Sequence, residues 1–156
     1  MNMSIRNSQS LSMFKRSLKI SVFPVANALF SYGRSDTQVH HARIRMGLSP
    51  LNQHIRKYNY ISDPSCSACG HRFEDTAHYF LECPTYQRAR AGLLQSVSPL
   101  IVDIMPDINQ TLNRRAKESL IRMLLNGDSR LNLETNRKLF THVQAFIEET
   151  GRMRIP

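Results

Sequence analysis

Apolar residues recur at helical spacing along most of this chain, and strand-like alternation is scarce. Leu11, Phe14, Leu18 and Val22, with Lys15, Arg16 and Lys19 beside them, predict an amphipathic helix that Pro24 interrupts. Residues 38–46 read as a second helix with Gly47 as its stop. Ser49 followed by Pro50 has the form of an N-cap with proline at the first helical position. Leu51, His54, Ile55 and Tyr58 then give a short helix. Residues 63–70 are turn-like. Pro84 opens a helix whose apolar face is Tyr86, Ala89, Leu93 and Val97, and residues 98–107, with Pro99 and Pro106, read as a connection. Leu112, Ala116, Leu120, Met123 and Leu124 line a further helix that Asn126 and Gly127 cap. Leu139, Val143, Phe146 and Ile147 line a last one, ended near Gly151. No internal repeat is present.

The thiols change this picture of plain helices. All three cysteines fall within residues 66–83, with His78 among them. The spacing is Cys66-x2-Cys69, eight residues, His78, four residues, Cys83. Tetrahedral zinc takes thiolates and imidazoles, and three cysteines with one histidine form a structural set. Cys66 to Gly70 has the form of a knuckle: backbone N–H groups can point at the sulfurs, and glycine accepts the positive φ of such a turn. Residues 74–82 can form a short helix that projects His78 inward. On a continuous α-helix His78 and Cys83 would diverge by about 140°. Pro84 pushes Cys83 out of the α region, so the helix should end near Glu82 and let the thiol swing back. Phe73, Phe80 and Leu81 are expected to pack around the metal.

Other readings of the cysteines are weaker. Their odd number defeats a complete disulfide framework, and a Cys-x2-Cys redox pair wants a βαβ context that is not seen. Buried thiols without a metal are the competing reading. The lack of a second ligand quartet excludes a two-zinc ubiquitin-ligase ring. Neighbouring helical residues diverge, so His40 and His41 read as surface or core histidines.

Composition then bounds the function. The chain has 156 residues, enough for one domain, and 21 Lys and Arg against 12 Asp and Glu. Residues 1–62 carry nine basic side chains and one acid, Asp36, for a net +8 of the total +9. Clustered cations on an otherwise near-neutral chain suggest a polyanion partner. The longest apolar stretch, residues 22–30, is broken by Pro24 and Asn27 and is too short to cross a bilayer. No secretory signal is read at the start, because residues 1–35 lack a compact apolar centre.

A resemblance accompanies these residues. The run "VHHARIRMGLSPLNQHIRKYNYISDPSCSACGHRFEDTAHYFLECPTYQRAR" resembles the region downstream of the polymerase in LINE-type, non-LTR retrotransposon reverse transcriptases. It is carried by Arg43, Arg45, Gly47, Leu48, Leu51, Asn52, Cys66, Cys69, Gly70, Glu74, Asp75, His78, Cys83, Pro84 and Arg90. The helical tail resembles the same polyproteins less specifically. The resemblance implies that the zinc segment binds RNA or DNA. The paired aspartates that hold catalytic metals in polymerases are missing, since no Asp-Asp occurs, and neither a Gly-rich phosphate loop nor a Gly-x-Ser-x-Gly elbow is present. The chain is therefore read as non-catalytic.

The expectation is a mostly α-helical domain around a single Cys3His zinc knuckle. A basic extension with an amphipathic helix should span residues 1–36, basic helices plus the knuckle 37–98, and a helical tail packed on the same domain 99–156. Cys66, Cys69, His78 and Cys83 are the expected ligands of one structural zinc. Arg43, Arg45, Arg56 and Lys57, with Arg72, Arg88 and Arg90 flanking the metal, are the expected contacts to RNA or another single-stranded nucleic acid. Tyr58, Tyr60 and Tyr79 are either stacking surfaces or core. A nuclear or cytoplasmic setting is expected. Two alternatives stand beside this: a structural or protein-interaction zinc module whose basic face is incidental, and a mitochondrial protein whose Ser-rich, basic start is a presequence.

Overall fold

The computed structural model describes residues 30–154, which are mostly helical and contain no strand. The amphipathic helix expected from Leu11 to Val22, and nearly all of the basic extension, lie outside the described residues. The described residues form five α-helices: α1 (Ser35–Met46), α2 (Asn52–Arg56), α3 (Gln87–Ile101), α4 (Arg114–Asn126) and α5 (Leu133–Thr150). Between α2 and α3 lie a π-helical turn, His78–Glu82, and a 3-10 turn, Pro84–Tyr86. Among the described residues no helix is long and apolar enough to cross a membrane.

The core is one continuous cluster. It runs from Ile44 on α1 through Leu51, Tyr79 and Phe80 to Leu93, Val97 and Ile101 on α3. It continues with Leu120 and Leu124 on α4 and ends with Leu139, Val143, Phe146 and Ile147 on α5. α5 packs most extensively on α3 and also meets α1 and α4. Burial of these side chains, worth about 1.5–3 kcal/mol each, is what holds short helices of ordinary propensity in place.

α1 is polar for a packed helix, and its buried face is Thr37, His41 and Ile44. Polar residues work there because they cap the end of another helix. His41 Nε2–H donates to the carbonyl of Leu124 at 3.0 Å, and Arg45 Nε donates to that of Leu125 at 2.6 Å. Both acceptors belong to the last turn of α4, whose carbonyls have no partner within the helix. Burial holds the His41 imidazole neutral, pushing its pKa down to about 3, with the Arg45 charge acting in the same direction.

Three local expectations are corrected. α2 begins at Asn52 with Leu51 at its N-cap, so Ser49 is not the cap. The Ser49 hydroxyl instead meets His54 Nδ1 at 2.8 Å, while His54 Nε2 meets the Thr76 hydroxyl at 3.2 Å. The helix is also shorter than the expected span from Leu51 to Tyr58: Leu51 and His54 are buried, Ile55 lies on its exposed side, and Tyr58 falls past its end and faces solvent. Pro99 does not end α3, which continues to Ile101. The proline lies on the exposed side near the helix end, and fully buried Val97 and Ile101 carry the register past it.

Candidate metal centre

Residues 66–71 form a closed turn. The Gly70 N–H donates to the Cys66 carbonyl at 2.7 Å, and the Cys66 N–H donates to the His71 carbonyl at 2.8 Å. Gly70 has a φ of 75°, which a side chain would strain. The backbone of Ala68 and Cys69 favours the Cys66 thiolate, and that of His71 favours the Cys69 thiolate. This is the knuckle expected from the spacing.

The second half uses a device that the spacing did not suggest. The His78 N–H donates to Asp75 Oδ1 at 2.7 Å, which starts the turn. The Cys83 N–H then donates to the His78 carbonyl at 2.7 Å, a bond five residues back. This wider winding puts residue five nearly over residue zero, where an α-helix would send it far round. Cys83 itself has an extended ψ of 120°, as the following proline requires. Histidine and thiol thus come to one side of the chain.

The four side chains converge. One ligand atom from each of Cys66, Cys69, His78 and Cys83 lies within 4.8 Å of every other, so the group could hold one metal ion. Cys66 Sγ is 3.9 Å from Cys83 Sγ, and Cys69 Sγ is 3.3 Å from His78 Nε2. Cys66, His78 and Cys83 are buried and Cys69 is half-buried. Burial pushes the Cys66 thiol up to about 11, whereas the His71 N–H heads the causes that lower Cys69. His78 is lowered by burial and then by the neighbouring His71. A neutral imidazole facing sulfur atoms suits a cation, since thiolates gathered out of water need a positive charge among them.

No protein-family model, no curated protein and no solved structure matched this chain.

The surroundings supply what the ligands leave open. His78 Nδ1 is buried with no hydrogen-bond partner, so its ring is oriented by stacking: His71 lies parallel to it, 4.4 Å between centroids. Glu74 was visible in the sequence only through the family resemblance, yet it is the polar centre of the region. Fully buried, it accepts from Arg152 Nε and Nη2, each at 2.6 Å, and from the Asn52 N–H at 2.9 Å. Its Oε1 lies 3.8 Å from Cys66 Sγ. Arg152 Nη2 also donates to the Pro50 carbonyl at 2.8 Å. One carboxylate therefore joins the knuckle, the start of α2 and the segment after α5. Nothing in the local sequence marks Arg152 as its partner.

The candidate contact residues divide. Arg56, Lys57, Arg72 and Arg88 are exposed, and Arg43 is half-buried. Arg45 and Arg90 are half-buried and take part in packing. Arg45 caps α4 and lies over the Phe30 ring at 4.1 Å, while Arg90 donates to the Cys83 carbonyl at 3.0 Å. Both guanidiniums are drawn inward because they satisfy buried carbonyls. The tyrosines divide too. Tyr79 is core, its hydroxyl 2.7 Å from that of Thr150, whereas Tyr58 and Tyr60 are exposed. Phe73 does not join the packing expected around the metal: it is exposed beneath the Arg72 guanidinium, and Phe80 turns away to stack on Phe146.

Proposed function

We propose that this chain is a non-catalytic nucleic-acid-binding module held together by one structural zinc. Support for zinc comes from the donor set and its spacing. A tetrahedral ion with bonds of about 2.3 Å to sulfur and about 2.0 Å to nitrogen sets sulfurs about 3.8 Å apart, and sulfur and nitrogen about 3.5 Å apart. The Cys66–Cys83 and Cys69–His78 separations of 3.9 Å and 3.3 Å lie near that frame, within a cluster whose four ligand atoms are all within 4.8 Å of one another. Four protein ligands leave no open position for a substrate, which favours a structural ion.

The observation that carries the binding reading is the charge pattern beside this centre. Residues 37–62 contain no acid; Arg43, Arg56 and Lys57 lie there beside the inward-packed Arg45, and three residues beginning with Asp63 separate the stretch from Cys66. The resemblance to the post-polymerase segment of LINE-type reverse transcriptases points the same way. A protein-interaction module with an incidental basic face is the alternative.

Fluorescence-anisotropy titrations with a single-stranded oligonucleotide at several salt concentrations test the reading. Four neutralised phosphates give a log–log slope of about −3, at roughly −0.7 per contact. Replacing Arg56, Lys57, Arg72 and Arg88 together by glutamine should flatten that slope and weaken all sequences alike. Arg45 is left in place because it supports the fold. Equal binding by wild type and variant would reduce the basic residues to a solvated face, and no binding by either would favour the protein-interaction alternative.

A further inference from the structure

Ten large apolar side chains are exposed among the described residues, and four of them fall within seven positions: Ile55, Tyr58, Tyr60 and Ile61. The last three are the most exposed of the ten, at 70%, 79% and 79%, against 48% for the next, Leu48. Single exposed apolar residues are ordinary, but a run of this kind marks a surface made for contact. The run is also built. Arg56 Nη1 donates to the Ser62 carbonyl at 2.8 Å and closes it like a clasp. Within it, Asn59 N–H donates to the Ile55 carbonyl at 2.9 Å, and Ser62 N–H to the Asn59 carbonyl at 3.0 Å. At its root Asn52 is tied to Glu74 and Ser65, so the tongue is anchored on the metal segment.

We infer that residues 55–61 form a base-stacking platform for single-stranded nucleic acid, with Tyr58 and Tyr60 as the stacking rings. The inference rests on the nucleic-acid reading above and names the surface and the strand state. Charge complementarity selects this occupant. Arg56 and Lys57 adjoin the tyrosines, and no acid occurs in residues 37–62. Cations that track a phosphate backbone beside rings that accept any base are the two parts of sequence-tolerant single-strand binding. A duplex keeps its bases stacked on each other and offers the rings little.

The test uses the full, metal-loaded chain and a short oligouridylate, with a hairpin duplex of the same length for comparison. Tyr58→Ala/Tyr60→Ala should lower oligouridylate affinity by about tenfold or more, with the salt slope and duplex binding unchanged. Tyr58→Phe/Tyr60→Phe keeps the rings and should retain affinity. The chain has no tryptophan, so tyrosine emission reports directly. Oligouridylate should quench it in the wild type and not in the alanine pair. Replacing Lys57 alone by glutamine should lower the slope by about 0.7, one phosphate contact, yet leave the quenching at saturation; Arg56 is kept because it closes the tongue. If the wild type binds with a steep salt slope but the alanine pair binds equally well, the platform is overturned and the basic reading stands. If the wild type binds nothing, both fall. Self-association that the alanine pair abolishes would assign the tongue to protein contact and overturn the platform as well.

Discussion

Cys69→Ser is expected to release the metal and unfold the segment from the knuckle to the start of α3. Apparent metal-binding energies in small zinc modules are about 10–16 kcal/mol, and that energy is folding energy. The segment has little else to hold it at its outer edge: Gly70, His71, Arg72 and Phe73 are all exposed. Its inner edge is different. Tyr79 and Phe80 belong to the common core, so their loosening should reach Phe146 on α5 and lower the thermal midpoint of the whole domain. α4 and α5 keep their mutual contact and should remain helical. Hydrogen exchange followed by mass spectrometry checks this: amide protection should vanish between residues 64 and 86 and persist through 133–150. A variant that keeps protection across the knuckle with no metal bound would show that packing alone maintains it.

Arg152→Met is expected to have the second largest effect. It leaves the Glu74 carboxylate fully buried without its cation, and breaking a buried pair from one side costs about 3–5 kcal/mol. For a domain of this size that is a drop of about 10 °C in thermal midpoint. Adding Glu74→Gln removes the unpaired charge and should recover part of the stability, although the bidentate geometry is lost. Denaturant titrations of the two single variants and the double variant measure the coupling. Additive losses would mean that the pair is not an energetic unit.

What could be read from the sequence was what is local. Cys66-x2-Cys69-Gly70 is a turn whose geometry its own residues dictate, and Pro84 does force Cys83 into extended backbone. The faces Ala89–Leu93–Val97 and Leu139–Val143–Phe146 are long enough for helical periodicity to separate inside from outside. α2 spans only Asn52–Arg56, too short for periodicity to separate its faces, and Ile55 and Tyr58 face water. The π-helical winding from His78 to Cys83 was illegible because it comes from one backbone bond shifted by one residue, which no side chain announces. Arg45 and Arg152 find their partners on distant parts of the chain, at Leu125 and Glu74. Tyr58 and Tyr79 carry the same side chain, and only the tertiary fold decides which is buried.

Metal content tests the central claim most directly. Native mass spectrometry of the wild-type chain, purified under reducing conditions without chelator, should find one zinc ion per molecule, lost together with folded structure when a strong chelator is added. A wild-type chain that carries no metal and is nevertheless fully folded would contradict the account.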